Sequence, residues 1–295
     1  MEKLTKKLKD NIEGVKSVLS AKDILVYEFL TGDGTECAIV YTDGMVDKAL
    51  LGDLAARPLS KLTPENKEKG FTLEEVKQTL LFPELKEETQ LQNIFAEVLD
   101  GNSLLLVDGL ETGLIVGAKL LPARAVMEPP TDIAVKGPRE GFIEDIKTNM
   151  ALLRKRLKTP DLKFELQKAG KRSQTNIAIC YLDGICDEKV KKEVAARIGE
   201  IDIDCIPDSS YVAAFIAPRK HSIFREVGTT EKPDILAAKM AEGRVGILVD
   251  GSPIALTVPF ILTEDFQSSE DYFVSPFMAT IFRAIRFLAI LIALL

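Results

Sequence analysis

A pair of turn motifs occurs twice in this sequence, in the same order and at nearly the same spacing. Ile39 to Asp47 reads IVYTDGMVD, and 140 positions later Ile179 to Asp187 reads ICYLDGICD. Leu104 to Gly109 reads LLLVDG and Gly246 to Gly251 reads GILVDG, with Asp250 lying 142 positions beyond Asp108. Each VDG follows a helical stretch and a glycine, Gly101 or Gly243. Asn11 and Asn149 mark corresponding helices at a spacing of 138. Solenoid repeats run about 20–50 residues, so this period points to two similar domains instead. A chain of 295 residues is long enough for both cores.

Periodicity then orders each half as helix, strand, strand, helix, an insertion, helix, strand, strand. Strands are predicted at 24–30, 36–41, 175–181 and 245–249. A helix in the second half places Phe142, Ile146, Met150, Leu153 and Leu157 on one face, with Gly137-Pro138-Arg139-Glu140 as its first turn. The fold class is therefore α/β (mixed α+β): two similar α/β lobes from an internal duplication, each a sandwich of two layers. The lobes are expected at 1–125 and 139–275, joined by a linker at 126–138 where prolines interrupt the periodicity. Leu59 to Gly70 is expected as a surface loop. Ile201 to Asp208, IDIDCIPD, is expected as a half-exposed strand entering a turn.

The C-terminus differs in kind. From Phe277 the chain reads FMATIFRAIRFLAILIALL, and Phe287 to Leu295 is apolar throughout. A membrane-spanning helix needs about 20 apolar residues, and Arg283 and Arg286 stand where a positive-inside flank would lie. Residues 276–295 are read as the truncated start of a first transmembrane helix. The charged N-terminus carries no apolar core of a secretory signal.

The inventory for chemistry is sparse. With 45 acidic against 38 basic residues the net charge is −7, which argues against a nucleic-acid partner. One histidine, His221, leaves no Ser-His-Asp triad and no multi-histidine metal site to build. Cys37, Cys180, Cys186 and Cys205 form no CxxC pair and read as small buried thiols in a reducing compartment. No GxxxxGK[ST] or GxGxxG phosphate loop occurs. Aspartates in the Asp-Gly pairs at 43, 108, 183 and 250 could in principle hold a metal, but turn chemistry accounts for them better. Arg154-Lys155-Arg156 reads as a solvated helix end near the negative dipole, with a weak match to acidic lipid or a partner. No catalytic residue, metal ligand or cofactor is expected, so the chain is read as a non-enzyme.

Several stretches resemble the spore germination receptor A subunits, the GerA family. GPREGFIE at Gly137 to Glu144 contains Arg139 and Glu140, and is followed by Thr148-Asn149 and by Leu153-Arg154-Lys155-Arg156. Thr230-Glu231-Lys232-Pro233-Asp234 resembles the family's TERPD. Glu242-Gly243-Arg244-Val245, leading to Val249-Asp250-Gly251-Ser252-Pro253, resembles its EGRV and VDGSP pair. Ser269-Glu270-Asp271-Tyr272 resembles the SPEDYY stretch before the first membrane helix. The matched motifs run from about Gly137 to the C-terminus; the first half shares only the layout.

This resemblance implies a spore inner-membrane protein whose large N-terminal domain is cytoplasmic. It also implies assembly with B and C subunits and other A subunits into a receptor that gates germination in response to a nutrient. The sporulation paralogue, the stage V sporulation AF protein, has a similar layout. A reading from another class is a module that binds a small molecule, a nutrient for example, in a cleft between two lobes.

Overall fold

The computed structural model describes residues 3–66, 70–120, 138–218, 225–261, 264 and 275–294. The chain divides into two compact units, residues 1–122 with 150–164, and residues 123–149 with 165–295. The expected α/β class is the one observed: each half of the sequence builds a five-stranded antiparallel sheet flanked by helices.

The first half runs α1 (Leu8–Val18), β1 (Ile24–Leu30), β2 (Glu36–Thr42), α2 (Lys48–Leu51), a π-helical turn (Gly52–Ala56), α3 (Arg57–Leu59), α4 (Leu73–Thr79), β3 (Leu85–Glu88), α5 (Leu91–Leu99), β4 (Ser103–Val107) and β5 (Gly113–Val116). The second runs α6 (Ile146–Arg156), β6 (Leu162–Ala169), β7 (Thr175–Leu182), α7 (Glu188–Gly199), α8 (Ser209–Ile216), β8 (Gly228–Thr230), α9 (Pro233–Ala241), β9 (Val245–Val249) and β10 (Ala255–Val258). The strand orders are β1-β2-β4-β5-β3 and β6-β7-β9-β10-β8, one topology used twice.

Alternation along the central strands explains the layering. In β2 and β4, Cys37, Ile39, Leu105 and Val107 pack with Leu51, Ala55, Leu59 and Val76 on one face. Ala38, Val40, Leu104 and Leu106 pack on the other with Leu8, Ile12 and Val15 of α1 and Ile94 and Val98 of α5. Each sheet is thus covered on both faces, giving three layers rather than the expected two. In the second half Ile177, Ile179, Ile247 and Val249 meet Val194, Ile198, Val212 and Ile216 of α7 and α8. Gly246 faces the other way, where an added Cβ would lie 2.9 Å from Leu236 of α9.

Other expectations need correcting. The helix of the second half begins at Ile146, not at Pro138, because Asp145 accepts from the Thr148 N–H and hydroxyl and so caps a later start. IDIDCIPD is not a strand: Ile203 O and Asp204 O accept N–H groups from Lys171, Arg172 and Ser173 in the β6–β7 turn, and Asp208 caps α8. Leu59 ends a helix and is fully buried. The inserted strands β3 and β8 lacked a period-two signal, being short and, for β3, polar. Residues 276–294 form helix α10 (Pro276–Leu294), with Phe277, Ile285, Leu288 and Ile292 exposed. Among the described residues no helix is long and apolar enough to cross a membrane.

Candidate functional site

The paired motifs of the sequence turn out to build one device in each unit. Asn11 Oδ1 accepts from the Thr5 N–H at 2.8 Å, and its Nδ2 donates to Thr5 O at 2.7 Å. Asn149 does the same for Ile143, taking its N–H at 2.8 Å and donating to its carbonyl. The two side-chain amides are almost fully buried. Each loops the chain back just ahead of the helix that carries it.

The VDG turn completes the device. Asp108 Oδ1 accepts from the Leu8 N–H at 2.9 Å, and the Gly109 N–H donates to Lys6 O at 2.7 Å. In the second unit Asp250 Oδ1 accepts from the Ile146 N–H at 3.4 Å, and the Gly251 N–H donates to Glu144 O at 2.8 Å. Asp250 also takes the Asn176 amide at 3.1 Å. Carboxylates at helix N-termini satisfy orphan N–H groups and meet the positive end of the dipole. Gly109 and Gly251 have φ of 89° and 83°, which a side chain would oppose. These two aspartates therefore cap distant helices, where the turn reading expects them to bond their own local backbone. Among the described residues no three His, Cys, Asp or Glu side chains gather as a metal site.

Of the positions carrying the resemblance, Asn149, Asp250 and Gly251 are brought together here, and Glu231 joins them through its carbonyl, which accepts from the Phe142 N–H at 2.7 Å. Asp234 lies in the first turn of α9, Pro253 is half-buried beyond β9, Arg139 is exposed and Glu140 half-buried. Glu270, Asp271 and Tyr272 lie outside the described residues, as does His221.

Arg154 departs most from expectation. It is completely buried instead of solvated, while the neighbouring Lys155 is exposed. Its guanidinium reaches Asp23, itself 3% exposed, because the last turn of α6 directs it inward. Burial pushes the Asp23 carboxyl above its ordinary value, and the Arg154 charge opposes that rise without cancelling it. Asp23 was invisible in the sequence, since an aspartate in a short loop between a helix and a strand normally signals a turn.

Ser252 of the VDGSP stretch donates from its hydroxyl to Asp208 and lies 3.1 Å from Ser209 Oγ. Burial raises the Asp208 carboxyl, but hydrogen bonds from Ser252 and from the backbone of Ser210 and Ser209 outweigh it and bring the value down to about 2. Asp208 serves as the N-cap of α8, accepting from the Ser210 N–H at 3.0 Å. Arg244 donates to Pro259 O at 2.6 Å and pairs with Glu264, a residue no sequence motif had marked.

A family model described as Bacillus/Clostridium GerA spore germination protein matches residues 10–295. The chain is 35% identical over 289 residues to spore germination protein KA of Bacillus subtilis (strain 168), covering 97% of this chain and 53% of that protein. It is 32% identical over 257 residues to stage V sporulation protein AF of the same organism, covering 87% and 52%. The crystal structure of the N-terminal domain of the A subunit of the Bacillus megaterium spore germinant receptor GerK3 aligns with a TM-score of 0.67 at 30% identity, covering 88% of this chain and 97% of that one. The chain spans about half the length of the curated relatives it matches.

Proposed function

Because the chain belongs to the GerA family of spore germination proteins, we propose that it is the N-terminal part of a germinant receptor A subunit. On this reading it assembles with B and C subunits and with other A subunits, and takes part in gating germination by a nutrient. It resides at the spore inner membrane with both α/β units on the cytoplasmic side. The observation that carries the reading is the alignment with 97% of the GerK3 domain, at a family match that runs almost end to end.

The helix α10 supports the membrane part of this reading. Phe277, Ile285, Leu288 and Ile292 are all more than half exposed, an arrangement that lipid relieves and water does not. Ser269 to Tyr272 precedes that helix in the sequence and is read as its coupling segment. The likeness to stage V sporulation protein AF supports a second reading, a sporulation paralogue with the same layout.

Deleting the gene in its own spore-forming host separates the two. Spores that lose the response to one class of nutrient, regained on complementation, are expected for the receptor. Undiminished germination with every nutrient tested, or a defect confined to spore formation, would overturn it.

A further inference from the structure

Strand β1 stands at the edge of the first sheet, and β2 is its one neighbour there. Its pairing with β2 fixes which backbone groups are left over. The Asp43 N–H donates to Asp23 O at 2.7 Å and the Thr31 N–H to Thr35 O at 3.0 Å, both in the register that sets Tyr27 against Ile39. Hydrogen-bonded pairs alternate along an antiparallel ladder, so Leu25, Tyr27 and Phe29 bond to β2. Val26, Glu28 and Leu30 turn their N–H and C=O groups outward. Side chains at this edge are exposed as well. Tyr27 is 52% and Leu30 56% exposed, and the Tyr27 and Phe29 rings stack with centroids 5.7 Å apart.

The second repeat shows that the topology does not require an apolar edge. β6 holds the same edge position, with Leu162 standing 138 residues after Ile24. Where β1 has Leu25, Tyr27 and Phe29 on one face, β6 has Lys163, Glu165 and Gln167. Glu165 accepts from the Tyr181 hydroxyl at 2.7 Å. Charged side chains, lysine above all, are the usual protection of an open edge, and β6 carries Lys163 and Lys168. β1 reads ILVYEFL, with neither lysine nor proline. An edge that is both open and apolar is suited to accept a further strand.

We propose that β1 pairs antiparallel with β1 of a second copy of this chain, joining the two first sheets into one. The strand's own sequence selects both the occupant and the register. With Tyr27 opposite Tyr27 of the other copy, every residue of ILVYEFL finds a partner: Leu25 faces Phe29, Ile24 faces Leu30, and Val26 faces Glu28. Val26 and Glu28 then exchange both backbone bonds. The Leu30 N–H reaches Ile24 O, while the Ile24 N–H keeps its bond to Ala21 O. A shift by one residue sets outward groups against inward ones. A shift by two either opposes Glu28 to Glu28, a like-charge pair, or sets Lys22 against Leu30. The proposal gives a surface to the assembly with other A subunits and, for its role in spores, rests on that reading.

Disulfide cross-linking reads the register. The 295-residue chain is held in detergent micelles that take up α10, and carries Cys205→Ser and Cys37→Ala, since Cys37 lies opposite Phe29 in β2. Opposed residues of a non-hydrogen-bonded pair have Cα atoms about 4.5 Å apart, within disulfide reach. Mild oxidation should therefore join Tyr27→Cys chains into a covalent dimer. Leu25→Cys or Phe29→Cys alone should stay monomeric, the two thiols lying about 14 Å apart along the strands, while a mixture of the two should cross-link. Glu28→Pro removes an outward N–H that β2 does not use, a placement that edge strands tolerate. It should abolish the Tyr27→Cys dimer and leave thermal unfolding close to that of the parent. Absence of the Tyr27→Cys dimer, or equal cross-linking at 25, 27 and 29, overturns the pairing and leaves the edge to a strand of another protein. A dimer indifferent to Glu28→Pro overturns it too. If Glu28→Pro does not fold, the mixture compared with its single components still decides the matter. Failure of the receptor reading shows separately, as gene deletion without effect on germination, and leaves the cross-link in place.

Discussion

Asp23 and Arg154, 131 positions apart, meet as a buried two-pronged ion pair, with Nε on Oδ2 and Nη2 on Oδ1, both at 3.0 Å. Two further guanidinium N–H groups go to Thr159 O at 2.9 Å and Leu162 O at 3.0 Å, and the group lies 5.2 Å from the Phe164 ring centroid. The pair ties the end of α6 and the start of β6 to the loop before β1, all within the first unit.

Removing one partner strands the other charge without water. Asp23→Asn and Arg154→Met should each cost about 3–5 kcal/mol, read as a lowered urea midpoint. Asp23→Leu with Arg154→Met should cost clearly less than either, since no buried charge is left. A double variant as unstable as the sum of the singles would refute the electrostatic account.

The asparagine knots make a paired prediction. An aspartate at position 11 or 149 can still accept an N–H but cannot donate to the carbonyl of Thr5 or Ile143. Asn11→Asp and Asn149→Asp should therefore each destabilise the fold by about 1–3 kcal/mol. Thermal unfolding of the two variants checks this; a knot that tolerates the change would show that its repeat does not depend on the amide.

Asp208 sets a pH dependence. Its folded value of about 2 lies below the ordinary 3.8, so its contribution is present above pH 3.8 and lost as pH falls toward 2. Ser252→Ala removes one of the hydrogen bonds responsible and should raise the value, weakening the loss of stability in that window. Carboxyl chemical shifts followed from pH 5 to 2, on the scale of ordinary aspartate titration, measure it. A titration midpoint unmoved by Ser252→Ala would assign the depression to the backbone donors alone.

Cysteine accessibility is the simplest measurement. Cys37, Cys180 and Cys186 are buried, and burial together with Asp33 and Asp108 pushes the Cys37 thiol up to about 12. Only Cys205 is exposed among the four. Iodoacetamide near neutral pH should modify Cys205 alone in the folded chain and all four after denaturation, as counted by mass spectrometry. Labelling of Cys37 in the native protein would contradict the packing of β2.

The repeat, the α/β class and the four strands placed from periodicity were legible because alternation and turn chemistry are local properties of sequence. Ile24–Leu30 and Val245–Val249 were placed to the residue, each bounded by turn residues. The Asp-Gly turns were also legible as turns, since glycine at positive φ is needed wherever they occur. What local patterns could not give was the destination of a side chain. Asp108 and Asp250 cap helices about a hundred positions earlier, and nothing beside them in the chain names those helices. Strands β3 and β8 escaped notice because an edge strand is held by its neighbour's backbone rather than by its own apolar period. Arg154 was read as solvated because a basic helix end usually is. Its burial depends on a carboxylate, two carbonyls and an aromatic ring that only folding brings within reach, since charge burial is decided by the full set of partners around a group and not by the group's own type.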